Sequence, residues 1–256
     1  MHALRGNIPC SRYLCALKSS GIRPSRSYHS YERPNPAPPF GPTEDAILSS
    51  SLRHVPKHGF TETSLSMGAR DAGYLDVSIN LFPSGAFDLI KYHLVTQRLA
   101  LAERARVATE RPRDNGGGEL SVAAKIRLLA VERLKANGPI IDRWQEALAI
   151  MAQPRNVPAS AVELARLSDE ILFLSGDTSV DTSWYTKRAS LSAVYSSSEL
   201  YMTQDKSVAF GETQKFLDRR LNDATSLGAA MSDIGGWVSF TGHAFTNVLR
   251  SKGVRI

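Results

Sequence analysis

The chain has 256 residues, 42% of them hydrophobic, which excludes a chain disordered throughout and suffices for one sizeable core with a small satellite. A formal net charge of +6 invites an anionic partner, yet residues 1–31 hold Arg5, Arg12, Lys18, Arg23 and Arg26 and no acid, leaving 26 basic against 25 acidic residues in the rest. The body is nearly neutral, so charge by itself makes no case for nucleic acid.

Residues 1–31, Arg- and Ser-rich, without acids and with scattered Leu4, Ile8, Leu14 and Leu17, have the composition of an organelle transit peptide. Charged residues and Pro9 interrupt every apolar run, which excludes a secretory signal; a merely disordered basic tail is the alternative. Arg26, two residues before Tyr28, resembles a mitochondrial processing site. Both cysteines, Cys10 and Cys15, fall in this segment, so the body is expected to lack disulfides and Cys-ligated metal. No window approaches the roughly 18 apolar residues of a membrane span.

Residues 32–43, ERPNPAPPFGPT, place five prolines in twelve positions and predict an extended linker. From Thr43 the helical period dominates and strand-type alternation is nowhere sustained, which predicts an all-α protein of about ten helices. Three short helices are expected at Glu44–Lys57, Glu62–Ala72 and Asp76–Leu81, then a long one from Phe87 to Thr109. Beyond the RPRDNGGG loop, helices follow at Leu120–Asn137, Ile141–Ala152, Ala159–Ser175, Thr182–Thr203 and Phe210–Gly228. Leu164, Leu167, Ile171 and Leu174 share one helix face, as do Trp144, Ala147 or Leu148, and Met151; such faces pack into a bundle, and bundles often enclose a ligand cavity.

The segments ILSSSLRHVPKHGF, TSLSMGARDAGY and INLFPSG resemble the helix-turn-helix domain of TetR-type regulators. The matching residues, Gly59, Phe60, Ala69, Ala72, Gly73 and Phe82, are architectural and preserve a fold without preserving an activity. Across Thr43–Pro83 the bases Arg53, Lys57 and Arg70 meet the acids Glu44, Asp45, Glu62, Asp71 and Asp76. A face of that sign repels phosphates, so the fold is expected without nucleic-acid binding.

The stretch SGDTSVDTSWYTKRASLSAVYSSSELYMTQD, followed by FLDRRLNDA, resembles a second family: the mitochondrial ubiquinone-biosynthesis accessory proteins numbered nine in the coenzyme Q series. The most specific part is GDxSxDxxWYxxR, Gly176 to Arg188. The resemblance implies a TetR-like fold that binds isoprenoid lipid or phospholipid and assists the di-iron demethoxyubiquinone hydroxylase. It further implies that Trp184 and Tyr185, with Asp169 and Ile171 on the preceding helix, form the hydroxylase-docking patch, and that Arg188 holds a lipid phosphate. Ile171 stands where the family usually has Met. Core aromatics are the alternative for Trp184 and Tyr185, and an ion pair with Asp181 or Glu199 the alternative for Arg188.

GWVSFTGHAFTNVLRSKGVRI is amphipathic as a helix: Trp237, Phe240, Phe245, Val248 and Leu249 share one half of the circumference, and Arg250 borders a basic end. It suits an anionic membrane surface, or packing on its own bundle or a dimer mate. Catalysis needs convergent His, carboxylate or Cys groups, and no such spacing occurs; His54 and His58, four apart, form a possible ligand pair, though a solvated helix face explains them as simply.

These readings predict a transit peptide at 1–31, a linker at 32–43, a helix-turn-helix-like domain at 44–85, a lipid-binding bundle at 86–230 and a membrane helix at 236–256. The expected function is a non-enzymatic, homodimeric lipid-binding protein on the matrix side of the inner mitochondrial membrane, without cofactor or metal. A ligand-responsive DNA-binding regulator and a scaffold without ligand are the rivals.

Overall fold

The computed structural model describes residues 39–110, 120–177 and 183–224, without side-chain placement at 108–110, 183 and 184. The transit-peptide stretch and the amphipathic segment 236–256, with Trp237, Phe240, Phe245, Val248, Leu249 and Arg250, lie outside the described residues. Within them every regular element is helical and no helix is long and apolar enough to cross a membrane.

The first helix starts inside the expected linker. α1 (Pro42–Leu52) carries Pro42 in its first turn, where a proline removes no helical hydrogen bond, and Glu44 reaches back to the Gly41 N–H at 3.1 Å. Phe40, also in that linker, meets Tyr92 edge-on at 5.0 Å. The expected continuous helix to Lys57 is broken at Arg53 and His54, and a single turn, α2 (Val55–His58), starts again with Pro56 in its first turn.

α3 (Glu62–Asp71) agrees with expectation, capped by Thr61 Oγ1, which accepts from the Ser64 N–H at 3.3 Å. α1 and α3 approach at Gly68, where an added Cβ would lie 2.5 Å from the Ser51 nitrogen and 2.6 Å from its Cα. Only glycine permits that approach. The third expected helix is a 3-10 segment, Asp76–Leu81, with Leu75 76% and Val77 66% exposed. Arg70 Nε donates to Asp76 Oδ1 at 2.7 Å, so one of the three bases of this region is already paired.

The long helix expected from Phe87 is two: α4 (Ala86–Leu99) and α5 (Leu101–Glu110), separated by a turn at Ala100. α6 (Val122–Lys135), α7 (Ile141–Met151), α8 (Val157–Ser175) and α9 (Ser183–Met202) lie within a few residues of their expected positions. α8 stops at Gly176, whose left-handed φ of 82° suits glycine. Residues 211–224 form α10, opened by Asp205, which accepts from the Ser207 and Thr213 N–H groups, each at 2.8 Å. Desolvation opposes ionisation there, but these hydrogen bonds hold the Asp205 carboxyl down to about 2.

Two apolar clusters result. One joins α1 and α3 to α4 and α7 through Ile47, Leu65, Phe60, Leu89 and Trp144, so the helix-turn-helix shares its core with the bundle. The other, with Leu129, Leu134, Leu167, Ile171, Leu191 and Tyr195, holds α6, α8 and α9 together.

Candidate functional site

The bundle leaves a cavity of about 260 Å³, partly open to solvent, between α4, α6, α7, α8 and α9. Leu94, Leu148, Met151, Leu164 and Leu167 supply its apolar wall, so the face read from α7 and the first half of the face read from α8 both border it. The volume falls just below the roughly 300–1,000 Å³ of drug-sized ligand sites.

One end of the wall is polar and buried. Arg133, Asn137 and Glu199 are 1%, 0% and 6% exposed. Arg133 Nη1 donates to Asn137 Oδ1 at 2.8 Å, and Asn137 Nδ2 donates to Glu199 Oε1 at 2.8 Å. His93 Nε2 lies 2.9 Å from the same Asn137 oxygen and donates to it. Desolvation first, and the Arg133 charge second, push His93 down to about 3, so it is a neutral ring protonated on Nε2. Burial pushes the Glu199 carboxyl up, against the opposing pull of Arg133 and Asn137. Tyr195, whose hydroxyl lies 3.5 Å from Glu199 Oε1, is likewise pushed up by desolvation. Glu163 on the cavity wall accepts from Arg98 Nε at 2.6 Å and from Arg166 Nη1 at 3.5 Å.

This polar end is absent from the sequence-derived site. The signal for it is phase: Arg133 lies on α6 among the buried Leu129, Ala130 and Leu134, and Glu199 on α9 with the buried Tyr195 and Met202. A charge at a core-phased position is costly and points to a network or a ligand.

The residues named from the docking resemblance separate into different environments. Tyr185, in the first turn of α9, is 73% exposed. Trp184 precedes it on the same turn, its side chain outside the described residues. Asp169 lies on α8 and pairs with Arg188 across the α8–α9 interface, Nε to Oδ1 at 2.9 Å with a second contact from Nη2. Asp169 is not among the partners expected for Arg188; Asp181, one of the two alternatives, lies outside the described residues, and Arg188 is not on the wall of this cavity. Ile171 is 0% exposed in the bundle core, which corrects its place in a surface patch; Phe173, two residues on, is 38% exposed. His54 and His58 do not converge as ligands: their ring centroids are 6.5 Å apart, and His54 Nε2 pairs with Asp71 Oδ2 at 2.7 Å. Among the described residues no group of three His, Cys, Asp or Glu side chains converges on a metal position.

The architecture is similar to a TetR transcriptional regulator from Nitrosomonas europaea, with a TM-score of 0.53 and 15% identity, over 72% of this chain and 99% of that one. At that identity the likeness shows the fold alone. The COQ9 family pattern matches residues 157–228, which span α8, α9 and α10. The mitochondrial ubiquinone biosynthesis protein coq9 of Schizosaccharomyces pombe is 40% identical over 208 residues, 81% of this chain and 80% of that protein. The human COQ9 protein is 34% identical over 211 residues, 82% of this chain and 65% of its own length, and the Drosophila melanogaster protein 33% identical over 208 residues, 77% and 63%. With a TetR-like helical fold and this identity over most of its length, the chain belongs to the COQ9 family of mitochondrial ubiquinone biosynthesis proteins.

Proposed function

We propose that this chain is a non-enzymatic lipid-binding accessory protein of ubiquinone biosynthesis. It encloses an isoprenoid lipid or phospholipid and, as a homodimer on the matrix face of the inner mitochondrial membrane, presents a quinone precursor to the demethoxyubiquinone hydroxylase. The observation that carries the reading is the partly open, Leu- and Met-walled cavity, whose α8 and α9 walls fall in the COQ9-matched stretch. A protein cavity substitutes for bilayer burial of the hydrocarbon, at about 25 cal/mol per Å² of apolar surface, and so lowers the cost of bringing a poorly soluble headgroup to an active site. A guest longer than the cavity extends through its open side. Tyr185, exposed beside Trp184, supports the docking half of the proposal. The segment 236–256, with Trp237, Phe240, Phe245, Val248, Leu249 and Arg250, is the proposed membrane contact.

Solvent extraction and native mass spectrometry of the purified full chain test the central claim. A co-purifying amphiphile is the expected result. A protein that emerges without a guest and takes up none from mixed phospholipid and isoprenoid vesicles would falsify it. The DNA-regulator reading gains nothing from a 15% structural match.

A further inference from the structure

The polar end of the cavity contains a buried cation whose link to a carboxylate, Glu199, runs through Asn137. Arg133 lines the cavity at 1% exposure, and its hydrogen bond to Asn137 uses Nη1 alone. Its buried Nε has no partner, and among the described residues Arg133 forms no ion pair. The carboxylates nearby are engaged otherwise: Glu163 with Arg98 and Arg166, and Glu199 with Asn137. Burial also drives Glu199 toward its neutral form. A second guanidinium, Arg104, also has a buried nitrogen, Nη1, without a partner; it is held below its usual range by desolvation and then by the Arg133 charge. A guanidinium buried without a direct ion pair carries a desolvation cost that an oxyanion partner offsets.

The geometry says what kind of group relieves that cost. With Nη1 occupied by Asn137, the edge of the guanidinium left over is the one formed by Nε and Nη2, whose two parallel N–H bonds match two oxygens of a carboxylate or phosphate. The Tyr195 ring, with its centroid 6.0 Å from Arg133 Cζ, adds a wall on one side.

We propose that the Arg133 end of the cavity is a headgroup subsite for an oxyanion, carboxylate or phosphate, borne by an amphiphile whose hydrocarbon lies along Leu148, Met151 and Leu164. The proposal rests on the reading of the cavity as a lipid site and deepens it: the hydrocarbon wall provides affinity without selectivity, and Arg133 selects for an anionic head. A neutral alcohol of the same chain length fills the wall but leaves the cation unpaired.

Titration calorimetry of the full chain with decanoate, decyl phosphate and 1-decanol tests this, in the natural protein and in the variants Arg133→Met and Arg133→Lys. The natural protein is expected to bind at least one of the two anions tenfold or more tighter than decanol, and the tighter of the two identifies the source of the oxyanion. Arg133→Met is expected to bring both anions to the level of decanol and leave decanol unchanged. Arg133→Lys, which keeps the charge but loses the two-pronged edge, is expected to fall between, and it decides the matter if the Met variant does not fold. Equal binding of anions and alcohol by the natural protein, or an anion preference that survives Arg133→Met, overturns the subsite and leaves the lipid cavity standing. Absence of binding by all three compounds overturns the cavity reading as well.

Discussion

Arg188 and Asp169 hold α8 and α9 together, the guanidinium Nε donating to Asp169 Oδ1 at 2.9 Å with both side chains less than a third exposed. A charge-assisted hydrogen bond of this kind contributes about 1.5–3 kcal/mol. Arg188→Met is therefore expected to lower stability by about that amount in urea denaturation, with the charge-swapped pair Arg188→Asp and Asp169→Arg recovering part of it. Lipid content should stay at the natural level. If lipid is lost while the denaturation midpoint is unchanged, the phosphate role implied by the family resemblance returns to Arg188.

The proposed hydroxylase contact makes a prediction of the opposite kind. Tyr185 is 73% exposed, so Tyr185→Lys should alter folding stability by no more than about 0.5 kcal/mol. Capture of the hydroxylase on beads should nonetheless fall at least tenfold, and Trp184→Lys should behave alike. Undiminished capture by both variants removes the docking role from this turn of α9.

His93 confers a pH dependence. Its neutral form is the one buried, because desolvation and Arg133 push it down to about 3 from an ordinary 6.5. Between those values the unfolded chain binds a proton that the folded chain does not, so this contribution to stability is full above 6.5 and declines as pH falls through the window, by up to about 1.4 kcal/mol per pH unit. Melting measured from pH 7 to pH 5, above the main carboxylate range, should show the decline, and His93→Gln should flatten it. An identical slope in the variant assigns the effect to other groups.

Gly68 tests the contact between the first and third helices. A methyl group there would lie 2.5 Å from the Ser51 backbone nitrogen, so Gly68→Ala is expected to cost about 1–3 kcal/mol despite alanine's better helix propensity. Thermal unfolding reads the sign directly. A stabilised variant would mean that the helices separate without penalty.

Much of the helical order is visible in the sequence because the apolar spacing of α6 to α9 is regular and their ends carry Pro158, Gly176 and Asn137. The departures occur where two local tendencies compete. Pro56 ends one helix and suits the first turn of another, so a pattern that reads as continuous is cut at Arg53–His54. Asp76–Leu81 is six residues long without a side-chain cap, and it settles into 3-10 form. The cavity wall was legible as helix faces; its polar end was not, since Arg133, Asn137, His93 and Glu199 meet through contacts that span 44 and 62 residues of sequence. Ile171 shows the converse: its period assigned it to the core, while family likeness assigned it to the surface, and it is buried.

Trp144, fully buried, meets Phe60 edge-on at 5.9 Å on one side and His93 at 5.2 Å on the other. A residue ahead of the helix-turn-helix's second main helix and a member of the polar network thus lean on the same indole. Trimming away the front helices would strip one face of that ring and loosen the floor on which the cavity's charged end stands. The TetR-like front helices are masonry for the chamber behind them.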